Sequence, residues 1–192
     1  QDCAFEDNQV VEDLGPYPNG GAIGAENATL VVDGCSFIGN HAGDRGGAIA
    51  VLGGSTTITN STFDHNSSDA LGGDIGAWMP ADLTLGQLTS MGALANEGAS
   101  IYANLPGAHL DADRITVVQA SANEGAAFFL REGTATLTSP MASSASRHCA
   151  GVMPRLLTSY MLKRVSMSSW VKKLRGDVRL DEALIASSCS TR

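Results

Sequence analysis

The chain has few aromatic residues, no long apolar run and no paired cysteine motif. Aromatics make up 5% of the 192 residues, whereas glycine occurs 22 times, and this composition suits tight turns better than a packed helical bundle. No run of 18 apolar residues occurs, so no transmembrane segment is expected. The four cysteines form no Cys-x-x-Cys pair, which argues against a structural zinc site.

Basic residues are scarce over most of the chain. Residues 1–139 contain three basic and seventeen acidic residues, whereas residues 140–192 contain nine basic and three acidic ones, which together give the net charge of −8. Nucleic acid is not an expected partner of the acidic part, because phosphate binding requires clustered Lys and Arg. The change in charge predicts a domain over 1–139 and a separate basic C-terminal segment over 140–192.

A short glycine motif recurs at a constant spacing. Gly20-Gly21-Ala22-Ile23 is repeated from position 46, again from position 72 with Asp74 in place of Ala, and in relaxed form from positions 98 and 125. The intervals between first glycines are therefore 26, 26, 26 and 27 residues. A fixed period of this length is the signature of a solenoid or another repeat architecture.

A second motif, Phe-x-x-Asn, has the same period. Its three copies are Phe5/Asn8, Phe37/Asn40 and Phe63/Asn66. In later repeats we expect Leu88 and Ile115 to replace the Phe, with one extra residue before the glycine. Short alternating segments precede the motif and predict strands; they are 29–32, 56–59, 83–85, 115–118 and 134–138.

These patterns predict an all-β fold, a right-handed parallel β-helix of about 26 residues per coil. Stacked coils would align the repeated side chains in columns. The columns would be a Phe core stack, an Asn hydrogen-bond ladder and an Ile core stack made by Ile23, Ile49, Ile75 and Ile101. A leucine-rich or other helix-containing solenoid is disfavoured, since the repeats contain no ten-residue helical pattern.

Phe-x-x-Asn followed by Gly-Gly-Ala-Ile resembles the repeats of chlamydial polymorphic outer membrane proteins. The likeness covers about residues 3–130, with complete copies at Phe37 to Ile49 and, apart from Asp74, at Phe63 to Ile75. It implies a pectin lyase-like β-helix displayed outside the cell, as an adhesin or a passenger segment of an autotransporter. The chain has no recognisable C-terminal membrane barrel, and fold-level analogy alone does not establish adhesion.

Two pairs of residues are candidates for covalent modification. Cys3 and Cys35 each stand two residues before a Phe of the motif, so they would lie in one column at a spacing of about 4.8 Å. Either a disulfide or a stack of thiols would satisfy that geometry. Asn27 and Asn60 lie in Asn-x-Ser/Thr sequons and are possible glycosylation sites.

The sequence contains no catalytic, cofactor-binding or metal-binding set above background. Asp64 with Asp69, and Asp111 with Asp113, could serve as acids and bases in a polysaccharide lyase or hydrolase, but we interpret them as solvated surface residues. His41 and His65 stand on opposite sides of the motif Asn and so share no column; we interpret the four histidines likewise as surface residues. The threonine rows that an ice-binding face needs are interrupted by Leu83-Thr84-Leu85.

The basic segment permits three interpretations. Apolar residues at spacings of three and four between positions 155 and 174 allow an amphipathic helix, which could cap the solenoid or bind a membrane surface or a partner. Degenerate coils are the third possibility. Overall, the sequence predicts an extracellular or cell-surface structural or adhesive β-helix without catalytic activity or cofactor, with a surface glycan or protein as its partner; the alternative is a carbohydrate-active β-helix.

Overall fold

The structure, a computed structural model, describes residues 2–11 and 20–138 together with the backbone of three strands within 141–144, 178–181 and 185–187. These parts of the chain contain sixteen β-strands and no helix. The strands are β1 Ala4–Glu6, β2 Gln9–Val10, β3 Ile23–Asp33, β4 Ser36–Ile38, β5 His41–Ala42, β6 Ile49–Thr59, β7 Thr62–Asp64, β8 Ser67–Ser68, β9 Ile75–Met91, β10 Ile101–Asn104, β11 His109–Val118, β12 Phe128–Leu130, β13 Thr134–Thr138, β14 Met141–Ser144, β15 Val178–Asp181 and β16 Ile185–Ser187.

Every strand pair is parallel and joins one coil to the next, so the chain winds into a β-solenoid of about four turns with a spacing of about 26 residues. The predicted parallel β-helix is confirmed. Three lateral faces follow from the pairing. The first face comprises 23–26, 49–52, 75–78, 101–104 and 128–130; the second comprises 29–33, 55–59, 82–86, 109–113 and 134–138; the third comprises 4–6, 36–38, 62–64, 89–91 and 116–118.

The faces meet at corners where the backbone adopts positive φ. The corner between the second and third faces is formed by Asp2, Gly34, Asn60, Gln87 and Arg114, with φ between +51° and +67°. The repeated Gly-Gly motif makes another corner, and there a side chain cannot be accommodated. A Cβ on Gly46 (φ +61°) would lie 2.2 Å from the carbonyl oxygen of Ile49. These turns therefore require left-handed residues, of which glycine is the least strained.

Stacked side chains fill the interior. The rings of Phe5, Phe37 and Phe63 lie face to face with centroids 4.9 Å apart, and Phe37 has no exposed surface. Ile23, Ile49, Ile75 and Ile101 occupy successive positions of one column on the first face. Each fully buried side chain of this size stabilises the fold by roughly 1.5–3 kcal/mol relative to its exposed state.

The Phe column continues differently from the sequence prediction. Phe63 pairs with Ser90, whereas Leu88 pairs with Ile115 two residues earlier in the strands. The prediction that Leu88 and Ile115 replace the Phe is therefore wrong. Side chains two apart in a strand point to the same side, so both positions face the core, and an apolar residue at either one gives the same pattern.

The extra residue in the third repeat also lies elsewhere than predicted. The register between β6 and β9 shifts after Leu52, so that Gly54 pairs with Ala81. The insertion is thus at Met79 and Pro80, in the corner between the first and second faces, and not before the glycine. The predicted strand 115–118 pairs with residues 88–91, so its residues 116–118 lie on the third face, and the fourth strand of the second face is instead His109–Asp113.

Beyond residue 139 only backbone pairing is described. β14 pairs with β11, β15 with β13, and β16 with β14, each in parallel. Residues 155–174, for which the sequence predicts a possible amphipathic cap helix, lie outside the described residues. Within the described part, no helix is long and apolar enough to cross a membrane.

Candidate functional site

The second face presents short polar side chains to solvent. Its strands alternate, with buried residues such as Leu83 and Leu85 pointing inward and their neighbours outward. Three outward rows run along the solenoid. They are Thr29, Ser55, Asp82, His109 and Thr134; Val31, Thr57, Thr84, Asp111 and Thr136; and Asp33, Thr59, Gly86, Asp113 and Thr138. This face is therefore a five-strand surface rich in hydroxyl and carboxyl groups.

Hydrogen bonds between coils hold these side chains in place. The Thr138 hydroxyl donates to Asp113 Oδ1 at 3.1 Å. The two ring nitrogens of His109 lie 2.7 Å from Thr134 Oγ1 and 3.0 Å from Thr136 Oγ1. Because the side chains are short and hydrogen-bonded to one another, a ligand that contacts this face immobilises few additional side chains.

A groove lies where the second face meets its corner with the third face. This corner groove has a volume of about 430 Å³ and is lined by Val31, Asp33, Thr59, Asn60, Gly86, Gln87 and Arg114. The left-handed backbone of three of these residues, Asn60, Gln87 and Arg114, turns the chain out of the second face at this point. Together with Val31 and Asp33 of the preceding coil, these residues make the groove cross four consecutive coils.

Opposite charges line the corner groove. The Asn60 amide donates to Asp33 Oδ1 at 2.7 Å and the Thr59 hydroxyl donates to the same oxygen at 2.8 Å. These two hydrogen bonds, of which the one from Asn60 has the larger effect, lower the pKa of Asp33 below its usual value. This carboxylate is therefore ionised at neutral pH. Arg114 Nε lies 2.8 Å from Asp113 Oδ2, which places a guanidinium at the other end.

The interior contains a second polar array, built on the Asn column. Asn8 Nδ2 donates to Asn40 Oδ1 at 2.8 Å, and Asn40 Nδ2 donates to Asn66 Oδ1 at 2.9 Å. Asn40 and Asn66 are fully buried, and each also donates to a backbone carbonyl of the preceding coil, at Phe5 and Phe37 respectively. The amides therefore form a continuous ladder along the solenoid axis.

Asp74 ends this ladder. The next residue of the Asn column is Ala93, which has no amide, and Asn66 Nδ2 donates instead to Asp74 Oδ1 at 3.0 Å. The hydroxyls of Ser90 and Ser100 donate to Asp74 Oδ2 at 2.5 and 3.1 Å. Asp74 is completely buried, and burial raises its pKa to about 7 against the hydrogen bonds that lower it. Its chemistry is that of an internal hydrogen-bond acceptor without access to a ligand.

Three of the four candidate modification sites are exposed, whereas Cys35 belongs to the core. Cys3 is exposed and Cys35 buried, and both are thiols in the structure. Cys35 Sγ donates to the Asp33 carbonyl at 3.4 Å, as Ser61 Oγ in the next coil does to the Thr59 carbonyl at 2.7 Å. Asn27 and Asn60 are exposed and adopt positive φ, so both sequons are accessible at corners.

The two acidic pairs considered for catalysis lie on different faces of the solenoid. Asp64 lies on the third face beside His65, whose Nδ1 is 2.5 Å from Asp64 Oδ1, whereas Asp69 lies 3.9 Å from His41 Nε2. Asp111 and Asp113 occupy neighbouring outward rows of the second face. Within the described residues, no group of three His, Cys, Asp or Glu side chains could hold a metal ion.

Sequence reasoning missed both Asp74 and the corner groove. Asp74 lies in an inward column whose other members are small: Ala22, Ala48, Ser100 and Ala127. A carboxyl group in such a column indicates a buried hydrogen-bond acceptor. The groove could not be inferred in the same way, because the pairing of Asp33, Thr59 and Gly86 depends on the insertion at Met79 and Pro80.

A comparison with family models identifies the repeat. Residues 34–51 match the Chlamydia polymorphic membrane protein repeat, and this stretch contains β4, the buried Asn40 and the Gly-Gly corner. No curated protein and no solved structure gave a significant match. With the solenoid described above, this match identifies the chain as a parallel β-helix repeat protein that resembles the chlamydial polymorphic membrane proteins.

Proposed function

We propose that this protein is a cell-surface β-helix with a structural or adhesive role, that it binds its partner through the second face, and that it has no catalytic activity. The matched family model is described as a membrane protein repeat, and a β-solenoid suits display at the cell surface. Extracellular exposure is also compatible with the accessible sequons at Asn27 and Asn60.

The second face is the observation that carries the binding role. It offers three rows of outward side chains on five parallel strands, and most of them are Thr, Ser or Asp. Such a surface can make many weak hydrogen bonds with an extended partner. Its short, mutually bonded side chains keep the entropic cost of each contact low.

Charge limits the chemistry of that partner. Over residues 1–139 the acidic side chains exceed the basic ones by fourteen, seventeen against three. Long-range repulsion therefore disfavours polyanions such as nucleic acids and heavily sulfated polysaccharides. A neutral glycan, or a protein surface that carries basic residues, is the compatible partner.

A paired assay on the full chain tests this proposal against the carbohydrate-active alternative. We expect fluorescently labelled protein to bind saturably to intact cells from a panel of animal and bacterial types. We also expect no reducing or unsaturated sugar to be released from a panel of neutral and acidic polysaccharides. Product release would overturn the non-catalytic role, and the absence of saturable binding to every cell type would overturn the adhesive one.

A further inference from the structure

We infer that the corner groove is a binding site for an uncharged, hydroxyl-rich glycan. This inference rests on the proposed binding role and assigns to it a specific position and ligand class. Three features carry it: an unfilled position at Gly86, two left-handed residues with long polar side chains, and the mixture of donors and acceptors that these residues bring together.

Gly86 has no side chain and leaves a notch in the second face, although the backbone conformation there does not require a glycine. It lies in β9, pairs in continuous register with Thr59 and Asp113, and does not adopt positive φ. A Cβ at this position would meet only Thr59 Cγ2, at the ordinary contact distance of 3.4 Å. Glycine inside a strand weakens it by roughly 0.5–1 kcal/mol relative to alanine. Close approach of a ligand is one of the reasons for which a glycine is kept inside a strand.

Gln87 and Arg114 hold left-handed backbone conformations that other residues adopt more easily. Their φ angles are +55° and +52°, whereas the preceding coils have Gly34 and Asn60 in the same column. Long side chains at such positions cost of order 1 kcal/mol each. Both side chains line the corner groove, so the strained positions carry the amide and the guanidinium that face a ligand there.

The groove combines groups that recognise neighbouring sugar hydroxyls. The ionised Asp33 carboxylate accepts hydrogen bonds, while Asn60, Gln87 and Arg114 supply amide and guanidinium donors. Val31, which is 68% exposed, offers an apolar surface to the C–H side of a sugar ring. Because Asp33 lies at one end and Arg114 is already beside Asp113, an uncharged ligand fits better than an anionic one.

The test is to titrate the full chain with neutral tetrasaccharides (β-glucan, mannan, chitin and galactan type) and with a heparin-derived tetrasaccharide, by calorimetry and saturation-transfer NMR. We expect at least one neutral tetrasaccharide to bind more tightly than the sulfated one. Gly86→Thr, which places in the notch the residue found at Thr59 and Thr138 of the same row, should weaken that binding at least tenfold. Ser55→Thr, on the second face but outside the groove, should leave it unchanged.

A second variant pair separates binding from folding. Gln87→Gly and Gln119→Gly both replace a left-handed glutamine, with φ of +55° and +57°, and both should raise the melting temperature by relieving strain. Only Gln87→Gly should reduce binding of the neutral tetrasaccharide, because Gln119 lies at the corner after the third face. Equal loss of binding in the two variants would overturn the assignment of the groove.

The outcomes also separate this inference from the proposed function. Wild-type binding to none of the neutral tetrasaccharides, or binding that Gly86→Thr leaves intact, would overturn the groove as a glycan site. If cell binding persisted in either case, adhesion through the rest of the second face would still stand. Loss of both cell binding and tetrasaccharide binding in Gly86→Thr, with an unchanged melting temperature, would support both.

Discussion

At the scale of single residues, Asp74 is the clearest departure from the repeat. Its column is otherwise small and neutral, but the neighbouring Asn column ends after Asn66, because Ser67 pairs with Leu94 and Ala93 therefore lies opposite Asn66. A buried amide donor left without an acceptor costs about 1–3 kcal/mol. The Asp74 carboxyl supplies that acceptor and also receives the hydroxyls of Ser90 and Ser100, so one substitution in the repeat compensates for another.

Asp74 should make stability depend on pH. Its pKa is about 7 in the folded chain, against an ordinary value of 3.8, so the folded state retains a proton that the unfolded state releases. The free energy of unfolding should fall as pH rises from about 4 to about 7, by about 4 kcal/mol at most, and level off above. Asp74→Asn should remove this decrease, as measured by urea unfolding at successive pH values.

Asp64→Asn is the matched control, since Asp64 is only partly buried and acts on Asp74 through its charge. This variant should keep most of the pH dependence of the wild type. An unchanged difference between wild type and Asp74→Asn from pH 4 to pH 8 would contradict the buried-carboxyl account.

The position of a residue in the fold can be predicted from the sequence where its side chain is chemically distinctive. Phe37 and Asn40 have large or amide side chains that recur at fixed positions, and the structure places them with their counterparts in stacked columns. The column of Leu88 cannot be predicted in this way, because any aliphatic residue satisfies an inward position. Asp74 visibly breaks the motif, but its role cannot be predicted, because its hydrogen-bond partners come from three different segments.

At the scale of the strand and its corners, glycines serve two different purposes, which the sequence alone does not distinguish. A Cβ on Gly47 would lie 2.0 Å from the Gly73 carbonyl oxygen, whereas a Cβ on Gly86 meets only a methyl group at 3.4 Å. The first glycine allows two coils to approach, and the second only leaves space. The repeat motif revealed Gly47 in the sequence, but only the structure distinguishes the role of Gly86.

Paired alanine substitutions should show this difference. Gly47→Ala must push apart two backbones and should destabilise the chain by about 3 kcal/mol, the upper end of the usual cost of overpacking, or prevent folding. Gly86→Ala should be neutral or stabilising by up to about 1 kcal/mol. Thermal and urea unfolding of both variants provide the comparison; a stable Gly47→Ala would contradict the described coil contact.

The Phe stack should respond according to burial. Phe37 lies between two rings and has no exposed surface, whereas Phe5 is half-buried at the end of the stack. Phe37→Ala should lower the free energy of unfolding by about 3–5 kcal/mol, and Phe5→Ala by clearly less. Equal losses in equilibrium unfolding would show that the stack is not ordered as described.

At the scale of the whole molecule, the solenoid turns a short repeat into long, chemically distinct surfaces. The period of 26 residues predicted a solenoid, and the short alternating segments without a helical pattern predicted that its coils form a parallel β-helix. It could not predict which face binds, since insertions of a single residue, as at Met79 and Pro80, shift the register on which each outward row depends. The polar second face appears only once five strands are in register.

The central claim is that this surface β-helix binds through its second face. The most direct test compares how two arginine variants bind to cells. Thr84 and Thr89 are both exposed and both belong to β9, but Thr84 lies on the second face and Thr89 on the third. We predict that Thr84→Arg lowers the affinity of the full chain for cells at least tenfold, while Thr89→Arg binds like the wild type. Equal affinities of the two variants, or loss of binding only in Thr89→Arg, would contradict the account.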